Sequence, residues 1–280
     1  MQQAINYIRT SLEGLYPKGE IDQFIYLIFE NQLGFSRTDM ILHKSMKISN
    51  PLRDKISHFT HRLQSYEPIQ YILGECYFLD FKFKVAPGVL IPRPETEELV
   101  EKIFQENISK KGSILDIGTG SGCISVSLAK LMPDMKVSAI DISPTAINIA
   151  SQNAESLKAD VKFIEKDILC ALSDDYADCF DIIVSNPPYI CKNEIKIMER
   201  NVLDYEPHIA LFVEDNDPLL FYRQIATLSK TWLKENGTLY FEINSKYGSE
   251  TKQMLISLGY KDIEVIKDFY NNERIVKAVK

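Results

Sequence analysis

Hydrophobic residues in the first part of the chain recur at the spacing of helices. Between residues 1 and 71 the apolar positions are three or four apart, as in Ile5, Ile8 and Leu12, and this period is typical of helices with one buried face. Glycines and a proline interrupt the pattern between segments. The pattern predicts four or five short helices, and we assign residues 1–75 to an all-helical domain.

The next segment has the period of a strand. Between residues 76 and 85, phenylalanines at Phe81 and Phe83 alternate with lysines, as in a strand that is buried on one face only. This alternation predicts a short β-hairpin. We interpret residues 76–93 as a hairpin linker between two domains.

From residue 94 onward, buried strands alternate with helical segments. The predicted strands are residues 113–117, 137–141, 161–165, 180–185, 237–243, 263–266 and 274–279. Helical patterns separate most of them, which predicts a mostly parallel sheet covered by helices on both faces. The last two strands flank an Asn271-Asn272 turn and predict an antiparallel hairpin at the sheet edge. The predicted fold is therefore α/β, with a seven-stranded Rossmann-like sheet over residues 94–280.

The first buried strand runs into a glycine-rich loop. The residues of this loop are Gly118, Thr119, Gly120, Ser121 and Gly122. Alternate glycines allow a tight turn and let a ligand approach the backbone closely. Asp141 ends the next strand, where a carboxylate can accept hydrogen bonds from the ribose hydroxyls of an adenosine-type ligand. Asp167, just after the third strand, can cap the segment that follows.

The glycine spacing excludes two common nucleotide sites. The loop reads GxGxG, whereas the dinucleotide fingerprint is GxGxxG, so NAD is disfavoured. No Gly-Lys-Ser/Thr follows, so a triphosphate loop is also excluded. A glycine cluster alone is equally typical of a plain strand-to-helix turn. The acid at the end of the next strand favours a cofactor site.

A second motif follows the fourth strand of the predicted sheet. Its residues are Asn186, Pro187, Pro188 and Tyr189. Prolines lack an N–H group, so the motif offers mainly acceptors: the Asn186 side-chain oxygen and the Pro187 carbonyl. Two acceptors suit an NH2 group conjugated to a π system, because holding both hydrogens directs the nitrogen lone pair at an electrophile. Tyr189 can pack against the planar substrate group. A rigid turn is the alternative for this motif alone.

Composition and charge narrow the classes of protein. The chain has 280 residues, of which 45% are hydrophobic and 25% charged, an ordinary composition for a folded protein. The net charge is −7, whereas nucleic-acid-binding proteins are usually basic, so we expect no stable nucleic acid binding. The five cysteines have no CxxC spacing, so we expect no metal site and a reducing compartment. With no secretory signal or membrane-spanning segment visible, we expect a cytoplasmic protein. Separately, we expect a monomer.

Together these motifs closely resemble the HemK/PrmC family, the peptide chain release factor glutamine methyltransferases. Besides the two motifs above, the resemblance depends on three segments: EPIQYILG at residues 67–74, IPRPETE at 91–97 and NER at 272–274. It covers essentially the whole chain. It implies a class I S-adenosylmethionine-dependent methyltransferase fold, with a helical N-terminal domain that docks the release factor.

The resemblance also implies the reaction and the residues that carry it. A methyl group passes from S-adenosylmethionine to the side-chain amide nitrogen of the glutamine in a Gly-Gly-Gln motif. The glycine loop would approach the methionyl part, Asp141 the ribose, and Asp167 with Ile168 the adenine, although some relatives have an aromatic residue at position 168. Asn186 would be the catalytic residue and would also touch the cofactor. Thr96, at the start of a helix, would help to hold the methionyl carboxylate.

Two other functions compete with this interpretation. The first is methylation of an exocyclic amine on a DNA or RNA base, since a flipped base would use the same acceptors. The acidic charge and the IPRPETE segment count against it. The second is a cofactor-sensing binding module without turnover, which the intact Asn186 motif disfavours. Lys192, Lys196 and Arg200 follow that motif and either contact substrate or lie in a solvated loop, and we prefer the loop.

Overall fold

A computed structural model describes residues 1–280, apart from the side chain at position 197. The helices are α1 (Gln2–Leu12), α2 (Lys18–Leu33), α3 (Arg37–Leu42), α4 (Asn50–Gln64), α5 (Ile69–Leu73), α6 (Pro94–Asn107), α7 (Cys123–Leu131), α8 (Pro144–Leu157), α9 (Arg200–Tyr205), α10 (His208–Leu211), α11 (Leu220–Trp232) and α12 (Gly248–Ser257). The strands are β1 (Glu75–Phe78), β2 (Phe81–Lys84), β3 (Gly112–Ile117), β4 (Met135–Asp141), β5 (Val161–Glu165), β6 (Phe180–Ser185), β7 (Ile190–Cys191), β8 (Phe212–Val213), β9 (Leu233–Glu242), β10 (Lys261–Lys267) and β11 (Glu273–Val279).

The chain divides into two compact units. One unit contains residues 1–74 together with 199–205, and the other contains residues 75–198 and 206–280. In the part of the chain that the structure describes, no helix has both the length and the apolar character to cross a bilayer.

The helical unit is built from α1 to α5 and the later helix α9. Its core consists of aliphatic and aromatic side chains from α1, α2, α4 and α5, with Ile8, Leu12 and Ile28 fully buried. Helix α9 returns to this unit from far along the chain. Tyr205 in α9 donates a hydrogen bond to the carbonyl of Ser65 at 2.8 Å, and Arg200 lies 4.5 Å from the centre of the Tyr66 ring.

The second unit is a seven-stranded sheet covered by helices. Its strand order is β10-β11-β9-β6-β3-β4-β5, with β10 and β11 antiparallel to their neighbours and the other strands parallel. The chain moves outward from β3 through β4 to β5 and then restarts beside β3 with β6. The strand order therefore reverses between β3 and β6. In open α/β sheets, ligands bind at the carboxyl ends of the strands at such a reversal.

The predicted fold class is confirmed. All seven predicted strands are present, and β10 with β11 forms the predicted antiparallel hairpin at the edge of the sheet. Strand β9 begins at Leu233, four residues earlier than the apolar run suggested. The hydrophobicity pattern does not show the start of β9, because its second to fourth residues, Lys234, Glu235 and Asn236, are polar. The pairing of β6 with β9 also shifts register there.

The hairpin of β1 and β2 packs against helix α8. Asn153 in α8 is 1% exposed, and its side chain bonds to both backbone groups of Lys84, accepting at 2.7 Å and donating at 3.0 Å. The same amide nitrogen donates to the carbonyl of Ser121 at 2.8 Å. One buried amide therefore ties the hairpin to the glycine loop.

Candidate active site

A cavity of about 250 Å³ opens at the strand-order reversal, near the lower end of the ~300–1,000 Å³ usual for small-molecule sites. Ile117 and Ser185, the last residues of β3 and β6, are register partners and both line the cavity. The Ser185 hydroxyl donates to the Ile117 carbonyl at 2.7 Å. The glycine loop leaves one strand here and the Asn186 motif leaves the other, so the sheet brings the two predicted motifs to one wall.

The three glycines of the loop have different surroundings. All have positive φ angles, 75° at Gly118, 55° at Gly120 and 81° at Gly122, which residues with a Cβ adopt only at a cost. Gly118 and Gly120 line the cavity, and a Cβ on either would meet no atom within 4 Å. A Cβ on Gly122 would lie 3.0 Å from the Cβ of Ala150. Two glycines therefore expose backbone to the cavity, and the third allows α7 to pack closely on α8.

Asp141 is held by backbone groups at the mouth of this loop. Its Oδ2 accepts a hydrogen bond from the Gly120 N–H at 2.9 Å, and its Oδ1 accepts one from the Ser143 N–H, also at 2.9 Å. Burial raises the pKa of Asp141, against the effect of these N–H donors. The carboxylate lines the cavity beside Ile142. Backbone groups therefore fix the carboxylate at the cavity wall without another side chain.

Asp167 and Ile168 form another part of the cavity wall. Asp167 accepts a hydrogen bond from the Leu169 N–H at 2.8 Å, so it caps the turn that follows β5 as well as lining the cavity. Ile168 is 9% exposed and offers an apolar surface. The two alternatives predicted for Asp167 are compatible with each other.

Asn186, Pro187 and Pro188 line the cavity, whereas Tyr189 does not. The Asn186 side-chain nitrogen donates to the Thr96 hydroxyl at 3.2 Å. The Tyr189 hydroxyl donates to Oε1 of Glu242 at 3.1 Å, and its ring packs against the core of the sheet. The prediction that Tyr189 packs against substrate remains a prediction.

Thr96 also lies outside the cavity lining, as do Thr119, Ser121 and Gly122. The Thr96 side chain is 2% exposed, and its hydroxyl donates to Oε2 of Glu242 at 2.6 Å. Glu242 is 1% exposed, and burial raises the pKa of its carboxyl, while the Thr96 hydroxyl and the charge of Arg274 oppose that rise. Glu242 was not predicted as a site residue, although an acid at the end of the apolar strand β9 was a visible signal.

A second buried acid, Asp116, lies beneath the glycine loop. It accepts hydrogen bonds from the Thr119 hydroxyl at 2.7 Å and the Ser125 N–H at 3.2 Å. Its other oxygen, Oδ1, has no partner among the described residues. Burial raises the pKa of Asp116 to about 6. In the sequence, Asp116 could have been recognised as an acid within the otherwise apolar end of strand β3.

Some cavity residues carried no sequence signal. Val89 and Leu90, in the loop that precedes α6, line the cavity together with Lys166 and Phe221. These are ordinary apolar or charged positions, and only the fold brings them to the site.

The IPRPETE segment contributes an ion pair. Arg93 bonds to Oε1 of Glu206 at 2.6 Å, and the Ile91 N–H donates to Oε2 at 3.1 Å. The Glu206 side chain is 1% exposed. Arg93 therefore pairs with a buried acid, which fixes the turn before α6.

The three basic residues after the Asn186 motif do not gather at the cavity. Lys192 pairs with exposed Glu214, Lys196 is exposed, and Arg200 pairs with Asp204 in the helical unit. None of them lines the cavity. Their surroundings favour the solvated interpretation over substrate contact.

Comparisons with known proteins identify the family of the chain. Residues 3–74 match the model of the PrmC N-terminal domain, and residues 94–204 match the methyltransferase small domain. The release factor glutamine methyltransferase of Bacteroides thetaiotaomicron is 47% identical over 278 residues, which is 99% of each chain. The chain belongs to the release factor glutamine methyltransferase family. The family member from Flavobacterium psychrophilum is also 47% identical, over 96% of this chain and 95% of its own.

Solved structures share the fold of a large part of the chain. A methyltransferase from Pyrococcus furiosus matches with a TM-score of 0.54 at 18% identity, covering 80% of this chain and 98% of that one. A Thermus thermophilus 16S rRNA N2 G1207 methyltransferase matches with a TM-score of 0.52 at 18% identity, covering 74% and 49%. These likenesses concern the fold alone.

We predict a pH effect on stability from Asp116. Burial raises the pKa of Asp116 to about 6 in the folded chain, from 3.8 for a fully solvated aspartate. The folded chain therefore binds this proton more tightly than the unfolded chain does. The contribution of Asp116 to the free energy of unfolding rises by about 1 kcal/mol as pH falls from 7 to 5. Asp116→Asn keeps the acceptor for Thr119 and lacks this rise.

Urea unfolding of both proteins at pH 7 and pH 5 measures the effect. Other titrating groups are common to the two chains, so the difference between the two pH dependences isolates Asp116. Identical pH dependence in the two proteins would contradict the prediction.

Proposed function

We propose that the protein methylates the side-chain amide nitrogen of the glutamine in the Gly-Gly-Gln motif of peptide chain release factors, with S-adenosylmethionine as methyl donor. The observation that carries the proposal is the convergence of the glycine loop and the Asn186 motif on one cavity, in a chain 47% identical over 99% of its length to a release factor glutamine methyltransferase. The bound donor supplies a methyl group on a sulfonium, and transfer leaves S-adenosylhomocysteine, N-methylated glutamine and one proton.

The residues of the cavity fit this donor. Gly118 and Gly120 leave space at the backbone for the methionyl part, and the unpartnered oxygen of buried Asp116 lies beneath the same loop. Asp141 would accept hydrogen bonds from the ribose hydroxyls. Asp167 and Ile168, which line the same cavity, would hold the adenine. No phosphate-binding group is needed, which agrees with the GxGxG spacing.

The Asn186 motif receives the glutamine amide. An amide nitrogen is a weak nucleophile because its lone pair is delocalised into the carbonyl. Asn186 Oδ1 and the Pro187 carbonyl accept its two hydrogens, which directs the lone pair at the methyl group and stabilises the positive charge that develops on nitrogen. Holding the reacting groups in line would supply much of the remaining acceleration.

The helical domain of residues 1–75 docks the release factor. Its support is the match of residues 3–74 to the PrmC N-terminal domain. The protein acts as a monomer on a protein substrate. It works in the cytoplasm, where release factors meet ribosomes. Its net charge of −7 disfavours stable nucleic acid binding.

The direct test uses labelled S-adenosylmethionine and two forms of a release factor. We expect label in the native factor and none in a copy whose Gly-Gly-Gln glutamine is changed to alanine. Mass spectrometry of the motif peptide locates the methyl group. Label that enters DNA or RNA and spares the native release factor would instead support methylation of a base amine.

Asn186→Ala should abolish catalysis while leaving donor binding nearly intact. Loss of one preorganised group that stabilises developing charge costs on the order of 10²–10³ in kcat. The matched control is Asn193→Ala, since Asn193 is exposed and outside the cavity lining. Single-turnover rates measure the effect, with calorimetry for the donor. Turnover in Asn186→Ala equal to that of Asn193→Ala would refute the assigned role.

Gly118→Ala and Gly122→Ala should separate binding from folding. Both pay roughly 1 kcal/mol or more for a positive φ. The Gly118 methyl enters the open side of the loop and weakens donor binding, whereas the Gly122 methyl overlaps Ala150 and costs a further ~1–3 kcal/mol of stability. Calorimetric binding and urea unfolding measure the two effects. Equal stability losses in the two variants would contradict this assignment.

A further inference from the structure

A line of buried hydrogen bonds lies behind the Asn186 amide. Asn186 Nδ2 donates to Thr96 Oγ1 at 3.2 Å, and Thr96 Oγ1 donates to Glu242 Oε2 at 2.6 Å. Thr96 is 2% exposed and Glu242 is 1% exposed. The three residues come from the loop after β6, the first turn of α6 and the end of β9, so only the folded sheet unit assembles the line.

The direction of these hydrogen bonds follows from proton counting. An ionised carboxylate only accepts, and a threonine hydroxyl has one proton to donate. Because Thr96 gives that proton to Glu242, its oxygen can only accept from Asn186. The NH2 end of the Asn186 amide must therefore face Thr96. The carbonyl end then faces the other way, and Asn186 lines the cavity.

This orientation decides whether the amide can act as an acceptor. The oxygen and nitrogen of an asparagine side chain are nearly equal in size, so packing alone discriminates poorly between the two orientations. In the reversed orientation an NH2 group would meet the NH2 group of the substrate, donor against donor. The site would then lose one of its two acceptors.

We infer that Glu242 and Thr96 are positioning residues, which fix the orientation of the Asn186 amide so that its oxygen faces the substrate amide. The inference rests on the proposed function for its kinetic consequence, while the orientation itself is a property of the protein alone. Neither residue lines the cavity. They act through Asn186 and should therefore alter kcat rather than donor binding.

Two neighbours of Glu242 support its ionised, accepting form against the effect of burial, which raises the pKa of its carboxyl. The Tyr189 hydroxyl donates to the second carboxylate oxygen at 3.1 Å. Arg274 adds a positive charge that opposes the effect of burial on the Glu242 pKa. Arg274 is itself fixed by Asp268, to which its Nε donates at 3.2 Å. Arg274 of the NER segment thus helps to keep Glu242 ionised.

The kinetic test compares Thr96→Val, Thr96→Ser and Glu242→Gln. Valine keeps the shape of threonine and removes the hydroxyl, so kcat should fall at least ~10-fold, or ~1.4 kcal/mol, with the donor Kd within about twofold. Serine keeps the hydroxyl and should restore most of kcat. Glutamine in place of Glu242 can donate to Thr96, which allows the Asn186 amide to reverse, so kcat should also fall.

Thr251→Val is the matched control for a buried threonine-to-valine change. Thr251 is fully buried, its hydroxyl has no partner among the described residues, and it lies outside the cavity lining. We expect wild-type kcat from it. If Thr96→Val keeps wild-type kcat, or if Thr96→Ser falls as far as Thr96→Val, the inference is wrong.

A second measurement does not depend on turnover. In a nitrogen-15 NMR spectrum, the side-chain NH2 signals of Asn186 are those that disappear in Asn186→Ala. Their exchange with solvent should be slow in the wild type and in Thr96→Ser, and at least ~10-fold faster in Thr96→Val. Fast exchange in the wild type would overturn the inference even where methylation is normal. Slow exchange in a wild type that methylates no release factor would overturn only the proposed function.

Discussion

The parallel pairing of β3 with β6 determines the geometry of the whole site. Register partners Ile117 and Ser185 end the two strands side by side, and the Ser185 hydroxyl bonds across to the Ile117 carbonyl. Neighbouring strands lie only ~4.8 Å apart, so whatever leaves their carboxyl ends must share one space. Without that pairing, the glycine loop and the Asn186 motif would be two unrelated turns.

The sequence predicted the elements well where local chemistry and hydrophobic period agree. Helix α8 forms between the predicted strands 137–141 and 161–165, where a helical pattern was expected, because Ser143 caps its start and Pro144 suits the first turn. Strand β9 was predicted too short, because three polar residues open it. Helix α9 was not predicted at all, since its six residues are too few for a period to be recognised and they belong to a distant unit.

At the site, motifs could be predicted and their supports could not. The glycine loop, Asp141 and Asn186 stand next to strand ends, so the sheet rule alone predicts that they meet at one edge. Glu242 acts on Asn186 through Thr96, which is far from both along the chain. Asn153 joins the hairpin to the glycine loop in the same long-range way. Such contacts depend on strand order and helix packing, which no local pattern encodes.

The return of α9 to the helical unit has a consequence for folding during synthesis. Residues 1–74 leave the ribosome before residues 199–205, which belong to the same unit. At about 5–20 residues per second, that last helix follows several seconds later, after most of the sheet strands have emerged. The N-terminal unit therefore cannot complete its packing before much of the other unit has been synthesised. The two units are therefore interleaved along the chain, and their synthesis overlaps in time.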